Sequence, residues 1–164
     1  MSSSLNIDFP FLVCILGPTA VGKTSVAIRL AQVLDAEVVS VDSRQVYRQI
    51  SIGTAKPTRE EQDTIRHHLI DCVDIEQTFS VADYQLFADQ AIYNIYSGNK
   101  RVFLVGGAGL YFRALVDGLS DFPGPDWQFR ADLDQEAKKY GKDYLHEKLR
   151  CIDPVSAERI HPNN

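Results

Sequence analysis

An eight-residue stretch near the start of the chain carries residue types that bind phosphate groups. It reads Gly17-Pro18-Thr19-Ala20-Val21-Gly22-Lys23-Thr24, with two glycines five positions apart followed by Lys and Thr. The glycines allow the backbone to curve so that successive N–H groups point at an anion. Lys23 can bridge the outer phosphates, and the Thr24 hydroxyl can take one coordination position of Mg²⁺. The spacing therefore predicts a polyphosphate site with Lys23 and Thr24 in its chemistry and Thr24 on the metal.

The flanks of this stretch supply the elements that such a site requires. The apolar run 11–16 before it is short enough for a buried strand, and residues 25–34 after it have apolar side chains at helical spacing. Cys14 lies inside the apolar run, so we expect it in the core. A phosphate loop between a strand and a helix is the arrangement of P-loop proteins.

A second candidate site follows the next predicted strand. Residues 37–41 form an apolar-rich run, and Asp42, Ser43, Arg44 and Gln45 come directly after it. A carboxylate just past the carboxyl end of a strand lies where open α/β sheets place their ligands. Asp42 could instead cap a short helix over 44–47, with Gln45 as its reciprocal partner. The two interpretations are compatible, and the sequence leaves both open.

Three glycines follow the last predicted strand, residues 102–105. The chain continues Gly106-Gly107-Ala108-Gly109-Leu110-Tyr111. Glycines at a strand exit indicate a sharp bend or the close approach of a ligand. No acidic residue ends this strand, so the second carboxylate motif of many ATPases is missing. This favours a transferase over an ATPase.

The remaining pattern completes an α/β fold. Thr58 and Ser80 each begin a capping box, the first opening a short helix and the second a helix that ends at about Ser97. Residues 67–74 predict a strand whose adjacent histidines point to opposite faces, so we favour hydrogen-bonding or surface roles for them over a metal site. Four strand–helix alternations predict a P-loop NTPase-like parallel sheet with helices on both faces.

Composition limits the cellular setting and the partners. The chain is 45% hydrophobic and 24% charged with a net charge of -5, so a nucleic-acid partner would need a local basic face. Three cysteines without CxxC spacing indicate reduced thiols and a cytoplasmic protein. Residues 1–8 have no basic leader pattern, and the apolar run after them is too short to span a bilayer. We expect no membrane association and a monomer.

Two segments divide the chain. Residues 1–118 hold the four alternations and form the predicted P-loop catalytic core. The segment 119–125 has two prolines and a glycine, which indicates a joint, and the residues beyond it have helical composition. We therefore expect 119–164 to be a mainly helical segment.

Longer motifs resemble those of one enzyme family. The stretches GPTAVGKT, VDSRQVYRQISIGTAKP, HHLID, FSVADY and VGGAGLYFRALVDGL resemble, in this order, those of the tRNA dimethylallyltransferases, also called tRNA isopentenyltransferases. The resemblance implies that the loop 17–24 holds the diphosphate of dimethylallyl diphosphate, assisted by Mg²⁺. It also implies transfer of the dimethylallyl group to N6 of adenosine 37 in the anticodon loop of tRNA.

The resemblance implies roles for individual residues. Asp42 would be the general base, and the residues in contact with tRNA would be Asp42, Ser43, Arg44, Gln45, Ala108 and Arg130. Basic side chains near the site, namely Arg44, Arg48, Lys56 and Arg59, could meet RNA phosphates.

Two departures from the family pattern bear on activity. Ala108 stands where the family motif Gly-Gly-Thr-Gly-Leu-Tyr has threonine, which predicts impaired transfer. Family members are also close to twice as long, so 119–164 would be the start of a tRNA-binding insertion in a truncated chain.

Three other functions fit part of the pattern. An adenylate isopentenyltransferase, which prenylates free adenine nucleotides in cytokinin synthesis, would need fewer RNA contacts, but its glycine-rich motif differs from GGAGLY. A small-molecule kinase on the same fold is disfavoured by the stretch Asp-Ser-Arg-Gln at 42–45. The short length and Ala108 also fit a catalytically inactive diphosphate-binding fragment.

Overall fold

The computed structural model describes residues 11–119, 124–141 and 143–163. The chain divides into two compact units, Met1–Ser120 and Asp121–Asn164. The described part of the first unit contains a parallel sheet of four strands in the order β1-β4-β2-β3. The strands are β1 (Leu12–Leu16), β2 (Ala36–Val41), β3 (His67–His68) and β4 (Arg101–Gly106).

Helices cover the two faces of this sheet, which confirms the predicted fold class. The described part of this unit contains α1 (Lys23–Leu34), α2 (Arg59–Thr64), α3 (Val81–Ser97) and α4 (Gly109–Val116), of which α1, α3 and α4 bury residues in the core. On one face α1 buries Ala27 and Ala31 in a cluster with Val38 and Phe103. On the other face α3 and α4 pack over a second cluster, and the Tyr84 and Tyr111 rings stack there with centroids 4.0 Å apart.

The register of the sheet brings three strand ends to one level. Gly106 at the end of β4 pairs with Leu16 of β1 on one side and with Val41 of β2 on the other. The segments that leave these strands therefore start next to one another, at the carboxyl edge of the sheet. Parallel strands create their ligand crevice at this edge.

The strand β1 is less buried than the sequence predicts. Within the described residues it pairs only with β4, which places it at the edge of the sheet. Cys14 is exposed, so the expectation that it lies in the core is wrong. An apolar run shows that a strand can be buried, but it does not show how many neighbours the strand has.

The strand predicted over 67–74 ends after two residues. Leu69 and Asp71 have positive φ angles of 61° and 54°, in the left-handed region that ends a regular strand. The segment stays attached through an isolated bridge between Tyr47 and Val73. The prediction of a strand over 69–74 is wrong because Leu69, where the regular strand ends, is not a residue type that signals a left-handed conformation.

The adjacent histidines point to opposite faces, as predicted. His68 Nε2 lies 2.6 Å from Glu37 Oε2 on the α3 face, and His67 Nδ1 lies 2.7 Å from the carbonyl of Ile65. Both therefore have hydrogen-bonding roles. Among the described residues no group of three or more His, Cys, Asp or Glu side chains could hold a metal ion.

Both predicted capping boxes are present. The Thr58 hydroxyl accepts from Glu61 N while the Glu61 carboxylate accepts from Thr58 N, and α2 starts there. Ser80 and Asp83 form the same pair at the start of α3, which ends at Ser97 as predicted. These reciprocal bonds satisfy backbone N–H groups that the first turn of a helix leaves without partners.

The second unit is helical in its described residues, with α5 (Trp127–Tyr140), α6 (Tyr144–Ile152) and α7 (Pro154–Arg159). His146 is its buried polar side chain, and Nε2 donates to the carbonyls of Ala157 and Ile160 at 3.0 and 2.9 Å. These bonds satisfy carbonyls at the end of α7 and join it to α6. The joint predicted at 119–125 lies partly outside the described residues. No described helix is long and apolar enough to cross a membrane.

The ion pairs of Glu37 predict a pH dependence of stability. Burial raises the pKa of Glu37, but hydrogen bonds from Lys100 Nζ and His68 Nε2 outweigh it and lower the pKa below its ordinary value. A lowered pKa gives stabilisation that is complete above the ordinary pKa and is lost as the pH falls through the lowered value. We expect Glu37→Gln to flatten the fall in unfolding free energy between pH 7 and about pH 3.

The measurement is urea unfolding across that pH range. Glu76→Gln is the control, since Glu76 is exposed. Equal pH slopes for wild type and Glu37→Gln would contradict this account of Glu37.

Candidate functional site

The carboxyl edge of the sheet opens into a cleft of about 500 Å³. Three segments that the sequence singles out line it together: the phosphate loop, the turn after β2 and the glycine-rich exit of β4. The predicted site residues that line it are Gly17, Pro18, Thr19, Ala20, Gly22, Lys23, Thr24, Asp42, Ser43, Arg44, Gln45 and Ala108. Val21 is not among the lining residues, and its side chain is exposed.

The phosphate loop is shaped by two residues in the left-handed region. Ala20 and Gly22 have φ angles of 67° and 87°, and α1 begins directly after Gly22. Among the described residues no side chain caps this end of α1, so its first N–H groups are available to an anion. Lys23 Nζ donates to the carbonyl of Pro18 at 2.7 Å, which folds the ammonium group over the loop. An arriving diphosphate would compete with that carbonyl for the ammonium group.

The phosphate loop and the β4 exit are in direct contact. Gly17 N donates to the carbonyl of Gly106 at 3.2 Å. A Cβ atom on Gly107 would lie only 2.9 Å from the carbonyl oxygen of Gly17. Glycine at 107 is therefore needed for the two backbones to approach this closely.

Asp42 is anchored through one carboxylate oxygen. Its Oδ1 accepts from Arg44 N at 2.8 Å and from Gln45 N at 3.3 Å. Within the described residues Oδ2 has no hydrogen-bond partner, so it can accept a proton while Oδ1 holds the carboxylate in place. The predicted helix over 44–47 is wrong: residues 43–46 form turns, in which Asp42 accepts from two backbone N–H groups, and Gln45 does not reciprocate. Gln45 does not reciprocate because its side-chain amide binds Ser40, Thr54 and Ala55 instead.

Two basic residues considered for RNA phosphates are used inside the protein. The Arg48 guanidinium donates to the carbonyls of Asp71 and Cys72 and to the carboxylate of Asp74. Lys56 has a side chain only 7% exposed and pairs with Asp71 at 2.6 Å. The hypothesis that Arg48 and Lys56 meet RNA phosphates is therefore not supported. Arg44 is exposed and lines the cleft, and Arg59 is exposed in α2.

His67 also lines the cleft, which the sequence analysis does not predict. Its Nδ1 must donate to the Ile65 carbonyl, which only accepts, so Nε2 of the neutral ring is an acceptor. Burial lowers the pKa of His67, although the hydrogen bond to Ile65 opposes this, and the neutral form is favoured. Strand alternation could have predicted this position of His67. His67 pairs with Val38, so the two side chains share a face of the sheet, and Val38 also lines the cleft.

The donor atoms in the cleft suit Mg²⁺ with few protein ligands. The Thr24 hydroxyl is a hard oxygen donor that lines the cleft. Mg²⁺ commonly binds one or two such oxygens together with substrate phosphates and water. This donor set is compatible with an ion that arrives with a diphosphate.

Arg130 belongs to the second unit, in α5. Its guanidinium carbon lies 5.4 Å from the centroid of the Trp127 ring, and both side chains are exposed. A guanidinium over an indole face is a favourable cation–π arrangement. The Arg130 guanidinium therefore packs against the exposed indole ring of Trp127 in the same helix.

Ala108 occupies the N-cap position of α4 without a capping side chain. Its φ and ψ of -80° and 91° are those of a typical N-cap, and its N–H donates to the carbonyl of Val41. A threonine hydroxyl at this position would accept from an N–H group of the first turn. We expect Ala108→Thr to raise the unfolding free energy by about 0.5–2 kcal/mol, which chemical denaturation would measure.

The matched control for this prediction is Ala108→Val, which has the same shape without the hydroxyl. A gain with threonine but not with valine would assign the effect to the cap. Equal stability of the two variants would contradict it.

The chain matches the family model described as IPP transferase over residues 45–164. It is similar to tRNA dimethylallyltransferase 2 of Geotalea daltonii, with 50% identity over 153 residues, 93% of this chain and 47% of that protein. The tRNA dimethylallyltransferase of Halothermothrix orenii is 46% identical over 159 residues, 96% of this chain and 48% of that protein. The chain spans about half the length of these curated relatives.

Solved structures give the same result. The full-length tRNA isopentenylpyrophosphate transferase from Bacillus halodurans matches with a TM-score of 0.68 and 47% identity, over 95% of this chain and 52% of that chain. A eukaryotic dimethylallyltransferase acting on tRNA matches with a TM-score of 0.81 and 29% identity, over 95% of this chain and 39% of that one. The resemblance found in the sequence motifs is confirmed: the chain belongs to the IPP transferase family.

Proposed function

We propose that this cleft transfers the dimethylallyl group of dimethylallyl diphosphate to N6 of adenosine 37 in the anticodon loop of tRNA. The observation that carries the proposal is that the phosphate loop and Asp42 line one cleft in a chain of this family. The relatives are named as dimethylallyltransferases of tRNA, which supports tRNA as the acceptor. The chain would act as a monomer in the cytoplasm. In that compartment the free thiols of Cys14, Cys72 and Cys151 stay reduced.

The phosphate loop suits the donor because the leaving group is a diphosphate. As the allylic C–O bond breaks, negative charge builds up on the departing oxygen. The first N–H groups of α1 and the Lys23 ammonium group, once it leaves the Pro18 carbonyl, would stabilise that charge. Mg²⁺ held by Thr24 and the diphosphate oxygens would neutralise part of the same charge when bound.

Asp42 suits the acceptor because an adenine amine is a weak nucleophile. Its lone pair is delocalised into the ring, so removing a proton as the C–N bond forms lowers the barrier. Oδ1 is fixed by two backbone N–H groups, which leaves Oδ2 to accept the N6 proton. A base in the anticodon loop must leave its stack to reach such a cleft.

A transfer assay with competing acceptors tests the proposal. Labelled dimethylallyl diphosphate, Mg²⁺, an anticodon stem-loop with adenosine at 37 and free AMP are incubated with the chain in one tube. We expect label on the stem-loop and none on a matched stem-loop with guanosine at 37. Label on AMP alone would identify an adenylate isopentenyltransferase, and no transfer with intact donor binding would indicate an inactive diphosphate-binding fragment.

A further inference from the structure

The loop 50–57 forms one wall of the cleft, through Ala55 and Pro57. Gln45, in the turn that carries Asp42, donates to the carbonyls of Thr54 and Ala55, so the loop lies beside that turn. Two side chains join this loop to the turn in opposite directions, Gln45 from the turn to the loop and Lys56 from the loop to the turn. We call Gln45 and Lys56 the loop clamp.

The side-chain amide of Gln45 is engaged by the protein itself. Nε2 donates to the carbonyls of Thr54 and Ala55 at 3.2 and 3.1 Å, and Oε1 accepts from Ser40 Oγ at 3.0 Å. Two carbonyl partners fix the orientation of the amide, because carbonyls only accept. Both hydrogens of Nε2 are therefore occupied, and none is left to donate to a nucleobase unless the loop is released.

Lys56 completes the clamp from the other side. Nζ donates to the carbonyl of Tyr47 at 2.9 Å and to Asp71 Oδ1 at 2.6 Å. The side chain is 7% exposed, so the ammonium group is enclosed by its partners. A buried ammonium group without such partners would be strongly unfavourable. Lys56 must therefore keep both contacts, which fixes the position of this end of the loop.

The loop backbone is in a conformation that needs external support. Ala55 has a φ of 49°, which is unfavourable for a residue with a Cβ atom, and it directly precedes Lys56. Such conformations persist where the surrounding structure determines them, and they cluster at functional sites. The hydrogen bond from Gln45 to the Ala55 carbonyl supplies part of that support.

We propose that Gln45 and Lys56 are positioning residues that hold loop 50–57 as a preformed wall for the acceptor. In this account Gln45 affects transfer through the loop and not through contact with RNA. The expected effect on KM rests on the proposed function. The order of the loop does not, because it can be measured without substrate.

The first measurement is backbone ¹⁵N relaxation of the substrate-free protein. We expect Gly53–Ala55 to have order parameters of about 0.85 in wild type and below about 0.6 in Gln45→Met and Lys56→Met. Gln45→Glu should have the same effect, since it keeps the acceptor for Ser40 but replaces the donor to the two carbonyls. Gln90→Met is the matched control, because Gln90 is exposed in α3 away from the cleft.

The second measurement separates the donor from the acceptor. We expect the KM for the stem-loop to rise about tenfold in Gln45→Met and in Lys56→Met, the loss expected for one or two hydrogen bonds. The Kd for dimethylallyl diphosphate should not change, which also shows that the variants are folded. The Lys56 side chain is enclosed by the protein and cannot contact RNA directly. If Lys56→Met raises the KM as much as Gln45→Met does, the effect must therefore act through the loop.

Two results would overturn the inference. If Gln45→Met raised the KM for the stem-loop while the loop kept wild-type order parameters, Gln45 would act by direct contact. If the loop loosened without a change in that KM, the acceptor would not use this wall. Failure of the wild-type chain to modify any acceptor would count against the proposed function alone, and the relaxation data would still test the clamp.

Discussion

Asp42→Asn is expected to lower the rate of dimethylallyl transfer by about 10²–10⁴-fold, the range typical of a lost general base. The amide keeps an oxygen that can accept from Arg44 N and Gln45 N, so the turn after β2 is preserved. The substitution keeps the shape of the side chain and removes the carboxylate that would accept the proton. Single-turnover transfer to a stem-loop, measured with saturating donor, gives the rate.

The control for this prediction is Asp63→Asn, an exposed carboxylate in α2 outside the cleft. It should transfer at the wild-type rate. Asp42→Ala should also disturb the turn, because it removes the acceptor for both N–H groups. If Asp42→Asn retained full activity, Asp42 would have a structural role only, and another group would have to take the proton.

Gly106→Ala is expected to have the largest effect on stability. An added Cβ atom would lie 2.0 Å from the carbonyl oxygen of Val41 and 2.4 Å from its carbon, both in the backbone of β2. Backbone atoms cannot move aside as a flexible side chain can, so β2 and β4 must separate where the cleft begins. We expect a loss of about 3 kcal/mol or more in unfolding free energy, at the upper end for overpacking.

Gly109→Ala is the matched control in the same motif. Apart from its chain neighbours and the backbone of its own helix, no atom of the described residues lies within 4 Å of the Cβ that it would add, and Gly109 is the first residue of α4. Its stability should lie within about 1 kcal/mol of wild type, because alanine favours a helix over glycine. Urea unfolding of both variants measures the difference. Equal destabilisation by the two substitutions would contradict the steric explanation.

Local spacing in the sequence predicts the elements that depend on nearby residues. The glycine and lysine spacing of 17–24 places the phosphate loop between β1 and α1, and the capping boxes at Thr58 and Ser80 place the starts of two helices. In each case the interacting groups are within a few residues of one another. The position of Asp42 at the cleft follows from the same kind of reasoning about strand ends.

Errors arise where a structure depends on distant partners. The exposure of Cys14 follows from the place of β1 in the strand order, which periodicity does not report. The pairing of Lys56 with Asp71 joins residues 15 positions apart, so the sequence does not show that this basic loop residue is bound inside the protein. For the same reason the partners of the Gln45 amide were missed.

Equilibrium binding of dimethylallyl diphosphate to the chain is the most direct test of the central claim, that the cleft is a diphosphate site at the phosphate loop. We predict one Mg²⁺-dependent site, for which inorganic diphosphate competes. Lys23→Met should abolish this binding, whereas Asp42→Asn and Arg29→Met, an exposed charge of α1, should retain it. Binding that survives Lys23→Met or does not require Mg²⁺ would contradict the account.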